Sequence, residues 1–167
     1  MSTNEHNMLR LDVTRTQLEI AAADARARGL ATLVVHPCWT RLAADLLAGS
    51  NVQLGVRIGA PGGASTTLAK MFEADQAIEA GARRIESPLN IGALKSGLLD
   101  FVKSDVAGVL NSCRRSKRKQ AELYICIDLA LLDEHEQRIA AEIVQAAGAQ
   151  GILPCGTYET KETNPSS

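Results

Sequence analysis

The sequence has no surplus of charge of either sign: 18 Lys and Arg stand against 19 Asp and Glu over 167 residues. Without a basic excess nothing argues for nucleic acid or an anionic membrane as a partner. There is no run of about 18 apolar residues, and the opening Asn4-Glu5-His6-Asn7 is polar where a secretory leader would be apolar. Secretion and membrane insertion are therefore not expected. The four cysteines, Cys38, Cys113, Cys126 and Cys155, lie far apart with no C-x-x-C spacing, which argues against a zinc site or a disulfide framework. A reduced, cytoplasmic setting is the expectation, with no metal or cofactor. The first apolar stretch is followed by Asp12-Val13-Thr14-Arg15-Thr16-Gln17, which contains no glycine. A dinucleotide site would need G-x-G-x-x-G there, so that reading is disfavoured.

What the sequence does contain is an alternation of short apolar runs and longer amphipathic ones, on a chain of the size of one compact domain. Strands are predicted at Leu9–Val13, Ala31–Val35, Val52–Ile58, Ala82–Leu89, Leu123–Leu129 and Gly151–Cys155. Helices are predicted at Gln17–Arg28, Trp39–Ala48, from a Ser65 or Thr66 cap to Ala80, Leu98–Ser112 and Asp133–Ala147. Residues 1–157 form the expected domain, and the polar stretch from Tyr158 to Ser167 reads as a tail or extended arm. Six such steps fit either an open doubly wound sheet or part of a closed barrel, and periodicity does not choose between them.

Several segments, in order, resemble the deoxyribose-phosphate aldolases. They are Leu11-Asp12-Val13-Thr14, Ala31 to His36-Pro37, Gly55 to Ala74 with Thr66-Thr67, Lys70 and Phe72-Glu73-Ala74, and above all Asn90-Ile91-Gly92-Ala93-Leu94-Lys95-Ser96-Gly97. The resemblance implies a TIM barrel with its chemistry at the C-terminal ends of the strands. The fold expected here is accordingly α/β, an incomplete TIM-like barrel of about six mostly parallel strands. It also implies a class I reaction, in which a lysine Schiff base makes and breaks carbon–carbon bonds.

Departures from the family accompany the match. Glu86 aligns with the family's proton-relay aspartate, one methylene longer, and a displacement of roughly an ångström can cost ~100-fold in rate. Leu153 aligns with the Schiff-base lysine and offers no amine. Ile127-Asp128 replaces the Glu-Thr of the fifth strand. The family's second lysine and its glycine-rich phosphate loops are expected to have no counterpart after Pro165.

Other candidates carry two readings each. Asp12, Glu86 and Asp128 would form an acidic cluster at the barrel mouth, either binding a cation or proton or surviving as a remnant satisfied by Arg57. The Gly59–Gly63 loop, with Gly62 and Gly63, would cradle an anion or be a tight turn. Lys161, in a polar acidic setting, lacks what lowers a lysine pKa and reads as solvated. Arg114 to Lys119 reads as a basic helix end. Two functions follow from the resemblance. One is an aldolase-like protein without Schiff-base chemistry that binds a phosphorylated metabolite or acts in an assembly. The other is an active carbon–carbon lyase using a phosphosugar or short aldehyde. A six-stranded arc would leave its outer strands unpaired, so a homo-oligomer or hetero-complex is expected.

Overall fold

The computed structural model describes residues 4–59, 62–115 and 120–155. Six strands, β1 (Glu5–Met8), β2 (Thr32–Val35), β3 (Gln53–Arg57), β4 (Arg84–Pro88), β5 (Glu122–Ile127) and β6 (Gly151–Pro154), form one sheet. Every adjacent pair is parallel and the spatial order is the chain order. A doubly wound sheet would reverse direction part-way. This one never does, and curls into half of a (β/α) barrel.

The crossovers are α1 (Arg15–Arg28), α2 (Thr40–Leu47), α3 (Thr67–Ala80), the short α4 (Ile91–Lys95) with α5 (Leu99–Arg115), and α6 (Glu134–Ala147). Their ends follow local chemistry. Thr14 and Gln17 close a capping box on α1, and Asp133 and Glu136 do the same for α6. Thr66 caps α3 by accepting from the Ala69 amide. Gly29 and Gly148 end α1 and α6 in the left-handed region that glycine adopts without a Cβ penalty. Arg114 donates to the Gly148 carbonyl at the end of α6, and Arg115 pairs with Asp75. This much of the basic run is thus engaged at helix ends, while residues 116–119 lie outside the described residues, as do Lys161 and the tail.

Strand alternation sorts the side chains onto two faces. Leu33, Val35, Leu54, Val56, Ile85, Leu123, Ile125 and Ile127 point outward into the helices and, with Leu18, Ala22, Ile78, Val106 and Ile143, make the hydrophobic core. The concave face carries the other set, including Thr32, Arg57, Arg84, Glu86, Tyr124 and Cys126.

Two expectations need correcting. The first strand is Glu5–Met8, not Leu9–Val13; Leu11 is 80% exposed in the turn that leads to the Thr14 cap. The apolar alternation of Leu9-Arg10-Leu11-Asp12-Val13 imitated a strand, whereas the real one carries the inward Glu5, which meets Arg84 rather than a hydrophobic layer. The stretch after β4, given no element from the sequence, contains α4, capped by Asn90 through the Ala93 amide. Among the described residues, no helix is long and apolar enough to cross a membrane.

Candidate functional site

The concave face is held by a chain of charges. Glu86, 1% exposed on β4, is the register partner of Arg57 on β3. Arg57 donates to its Oε2 through Nη2 at 2.7 Å and Nε at 3.1 Å. Arg84, two residues back on the same face, reaches Oε1 at 2.9 Å through Nη2. The same guanidinium donates to Glu5 on β1, Nη1 to Oε1 at 2.7 Å, and lies 4.4 Å from the centre of the Tyr124 ring. Two carboxylates thus meet two guanidiniums, and the buried charge is balanced within the network.

Burial works against the charge on Arg57, yet the adjacent Cys126 sulfur and the Glu86 carboxylate outweigh it and leave its pKa above the ordinary arginine value. Arg84 is also raised: burial opposes its charge, and the Glu5 hydrogen bond and Glu86 carboxylate overcome that. Both cations therefore stay charged.

Leu153 sits on β6 in register with Cys126 of β5 and is half-buried. Cys155, two residues beyond, faces the same side, and its amide donates to the Ile127 carbonyl at 3.0 Å. The Cys126 thiol lies 4.0 Å from Glu86 Oε2. On this face Glu86 and Cys126 are therefore enclosed, with Arg57, Leu153 and Cys155 partly exposed beside them.

The acidic cluster anticipated from sequence does not assemble. Asp12 lies in the exposed turn after β1, paired with Arg10 at 2.7 Å, because the true first strand lies upstream of it. Asp128 follows β5 and caps the turn at Leu129–Leu131 by accepting from the Ala130 amide at 3.2 Å. Glu86 alone is deep inside, so the reading in which Arg57 satisfies it is the one that matches the geometry. Among the described residues no group of His, Cys, Asp and Glu could hold a metal ion.

Gly62 and Gly63 both adopt left-handed backbone, and their surroundings differ. A Cβ at Gly63 would come within 2.3 Å of the Pro88 carbonyl oxygen, whereas one at Gly62 would meet nothing. Gly63 thus packs the β3–α3 loop directly onto the end of β4. The Gly59 amide is taken by the Glu73 carboxylate at 2.7 Å. Lys70 is fully buried and bonds Asp105 of α5 at 2.5 Å, with the Pro88 carbonyl at 3.4 Å. It lies between helices and sheet as scaffold, outside the concave face.

Sequence reasoning missed Glu5, Arg84, Tyr124, Cys126 and Cys155 as members of this site. Only the parallel register brings them together, although Arg84 and Glu86 at a spacing of two on a predicted strand are a legible sign of a charged inner face.

A parallel sheet in chain order, apolar toward its helices and polar toward its axis, defines the chain as a member of the TIM-barrel class. No family model matches the sequence. A deoxyribose-phosphate aldolase of Streptococcus gordonii is 37% identical over 156 residues, which cover 93% of this chain and 69% of the relative. The chain belongs to the deoxyribose-phosphate aldolase family. It spans about two thirds of the length of the curated relatives it matches, such as the 68% covered of that from Lysinibacillus sphaericus. A solved structure from Coccidioides immitis assigned to the same aldolases superposes with a TM-score of 0.85 at 25% identity, covering 90% of this chain and 57% of that one. The tetrameric aldolase of Aeropyrum pernix shares the fold, with a TM-score of 0.78 at 21% identity, over 89% of this chain and 60% of that one.

Proposed function

We propose that this chain is a non-catalytic member of the aldolase family that binds a phosphorylated metabolite at the mouth of the half-barrel or acts in an assembly. The observation that carries this is Leu153 in the position that the resemblance gives to the Schiff-base lysine. An alkyl side chain there supplies no amine to condense with a carbonyl. Glu86, aligned with the proton-relay aspartate, has both oxygens engaged by guanidinium groups. It would have to release one of them to exchange a proton with a ligand.

The lysines among the described residues offer no substitute. Lys70 is ion-paired to Asp105, Lys95 to Glu136 and Lys103 to Asp100, and all three lie on helices. A Schiff-base lysine must present its amine to a substrate carbonyl at the strand ends, and these three are tied to carboxylates on the helices instead. Of the loop glycines Gly62 is open to such a ligand, whereas the Gly63 amide is taken by the Gly59 carbonyl at 3.0 Å, and Asp12 and Asp128 would have to leave their turn partners to take part.

An oligomer is supported by three features. β1 and β6 have one strand neighbour each among the described residues. Leu68, Phe72, Leu98 and Phe101 are exposed apolar side chains on or beside α3 and α5, and one relative of this fold is tetrameric. Light scattering at micromolar concentration tests it, and a sharp monomer mass refutes it.

Family membership favours the second reading, an active carbon–carbon lyase on a phosphosugar or short aldehyde, and one experiment separates the two. The protein is incubated with deoxyribose 5-phosphate or acetaldehyde, reduced with borohydride and weighed intact. No adduct is expected. Stoichiometric trapping on any lysine returns the chain to the active aldolases.

A further inference from the structure

The concave face holds two sulfurs that neither the aldolase chemistry nor the charge network requires. Cys126 is on β5, 1% exposed, and its register partner is Leu153. Cys155 follows two residues after Leu153, so both thiols point to the same face from neighbouring strands. The bond from the Cys155 amide to the Ile127 carbonyl continues the β5–β6 ladder past Pro154, so Cys155 lies diagonally from Cys126, two residues beyond the position opposite it on the same face. The two thiols are near enough that each shifts the other's ionisation. Cys155 is partly exposed and Cys126 is enclosed.

We propose that Cys126 and Cys155 form a redox-active dithiol, with Cys155 the attacking sulfur and Cys126 the resolving one, that closes an intramolecular disulfide across the mouth of the half-barrel.

The surroundings divide the two roles. The Cys126 thiol donates toward Cys155, which, with burial, holds the Cys126 proton in place and pushes its pKa well up. The same hydrogen bond, helped by the Arg57 guanidinium, holds Cys155 below the ordinary thiol value against burial and the opposing charges of Asp128 and Glu86. A lowered, accessible thiol next to a second thiol is the arrangement that oxidises reversibly. Cys38 is exposed and Cys113 is buried in the helix-side core.

The oxidant required is a hydroperoxide. The Cys155 sulfur attacks the peroxide, an S–O bond forms as the O–O bond breaks, and the leaving oxygen departs as water after taking a proton. Cys126 then attacks the sulfenic sulfur; the S–S bond forms, the S–O bond breaks, and hydroxide leaves as water with the Cys126 proton. The two thiols lose two protons and two electrons, and hydrogen peroxide becomes two waters. The product ties β6 to β5 diagonally, from the position opposite Leu153 to the one two residues beyond it.

The test exposes the full chain to hydrogen peroxide, alkylates the remaining thiols and maps the peptides. A Cys126–Cys155 disulfide reversed by dithiothreitol is expected. Cys126→Ser should stop at a Cys155 sulfenic acid that dimedone captures, and Cys155→Ser should slow oxidation of Cys126 to the background rate of Cys113. Cys155 still alkylatable after oxidation, or Cys126 oxidising at the unmodified rate in Cys155→Ser, overturns the proposal. The mapping on the unsubstituted chain needs no variant to fold. No sugar phosphate is present in this experiment, so its failure leaves the ligand reading untouched.

Discussion

Arg84 and Glu5 are 79 positions apart in sequence and three strands apart in the sheet, yet their side chains meet at 2.7 Å. Strands spaced by about 4.8 Å would put β1 and β4 roughly 14 Å apart in a flat sheet. The ion pair spans the concave side of a curved one. Removing Glu86 should disturb the charge network around this bridge most. Glu86→Ala leaves Arg57 and Arg84 without a shared carboxylate in a buried setting, a loss of about 3–5 kcal/mol. Glu5→Ala, at a rim only partly buried, should cost less. Urea denaturation of the two variants measures the difference, and equal midpoints would remove Glu86 from its central place.

Gly63 and Gly62 should respond differently to alanine. At Gly63 a Cβ meets the Pro88 and Leu89 carbonyl oxygens, both backbone atoms that cannot swing aside. Gly63→Ala is expected to cost ~3 kcal/mol or more, while Gly62→Ala, in open space, should cost only the ~1–2 kcal/mol of left-handed backbone. Thermal melts of both variants are the measurement.

Lys70→Met should destabilise by about 3–5 kcal/mol, since among the described residues it leaves the Asp105 carboxylate with the Thr67 hydroxyl as its remaining side-chain donor. Lys70→Met combined with Asp105→Leu should recover much of that loss. A double variant no more stable than the single one would show that the pair is not the source of the effect.

Acid should loosen α6. The Glu136 amide holds the Asp133 carboxyl below its ordinary range, and Lys95 together with the Asp133 amide does the same for Glu136. A depressed folded-state pKa stabilises the fold above the unfolded value, near ~4, and that stabilisation is lost as pH falls through the lower folded values. The protection factors of amides in the first turn of α6, exchange rates taken relative to the unfolded chain at the same pH, should fall over this window. Asp133→Asn with Glu136→Gln should remove that pH dependence of the protection factors; an unchanged profile would count against the capping box as its cause.

The helix boundaries were legible because their determinants are local. Thr66, Gly81 and Asp133 sit within a few residues of the amides and carbonyls they satisfy. β1 was not, because a strand whose inner side chains are answered by Arg84 has no apolar alternation to read. Five residues of α4 are too few for a helical period to register. The same distinction governs the site. Leu153 and Glu86 could be located by resemblance to known segments, whereas the meeting of Cys126 with Cys155, or of Arg84 with Glu5, depends on strand register and leaves no trace in spacing.

Chain order and sheet order coincide from β1 to β6, and this bears on how the molecule is made. During synthesis each new strand can dock against the one that left the ribosome just before it, so no β-edge has to wait for a distant partner still to be translated. The Glu5–Arg84 bridge is the exception. It becomes available only once β4 has emerged, at which point the first four strands are drawn into an arc and the growing sheet acquires its inside and its outside.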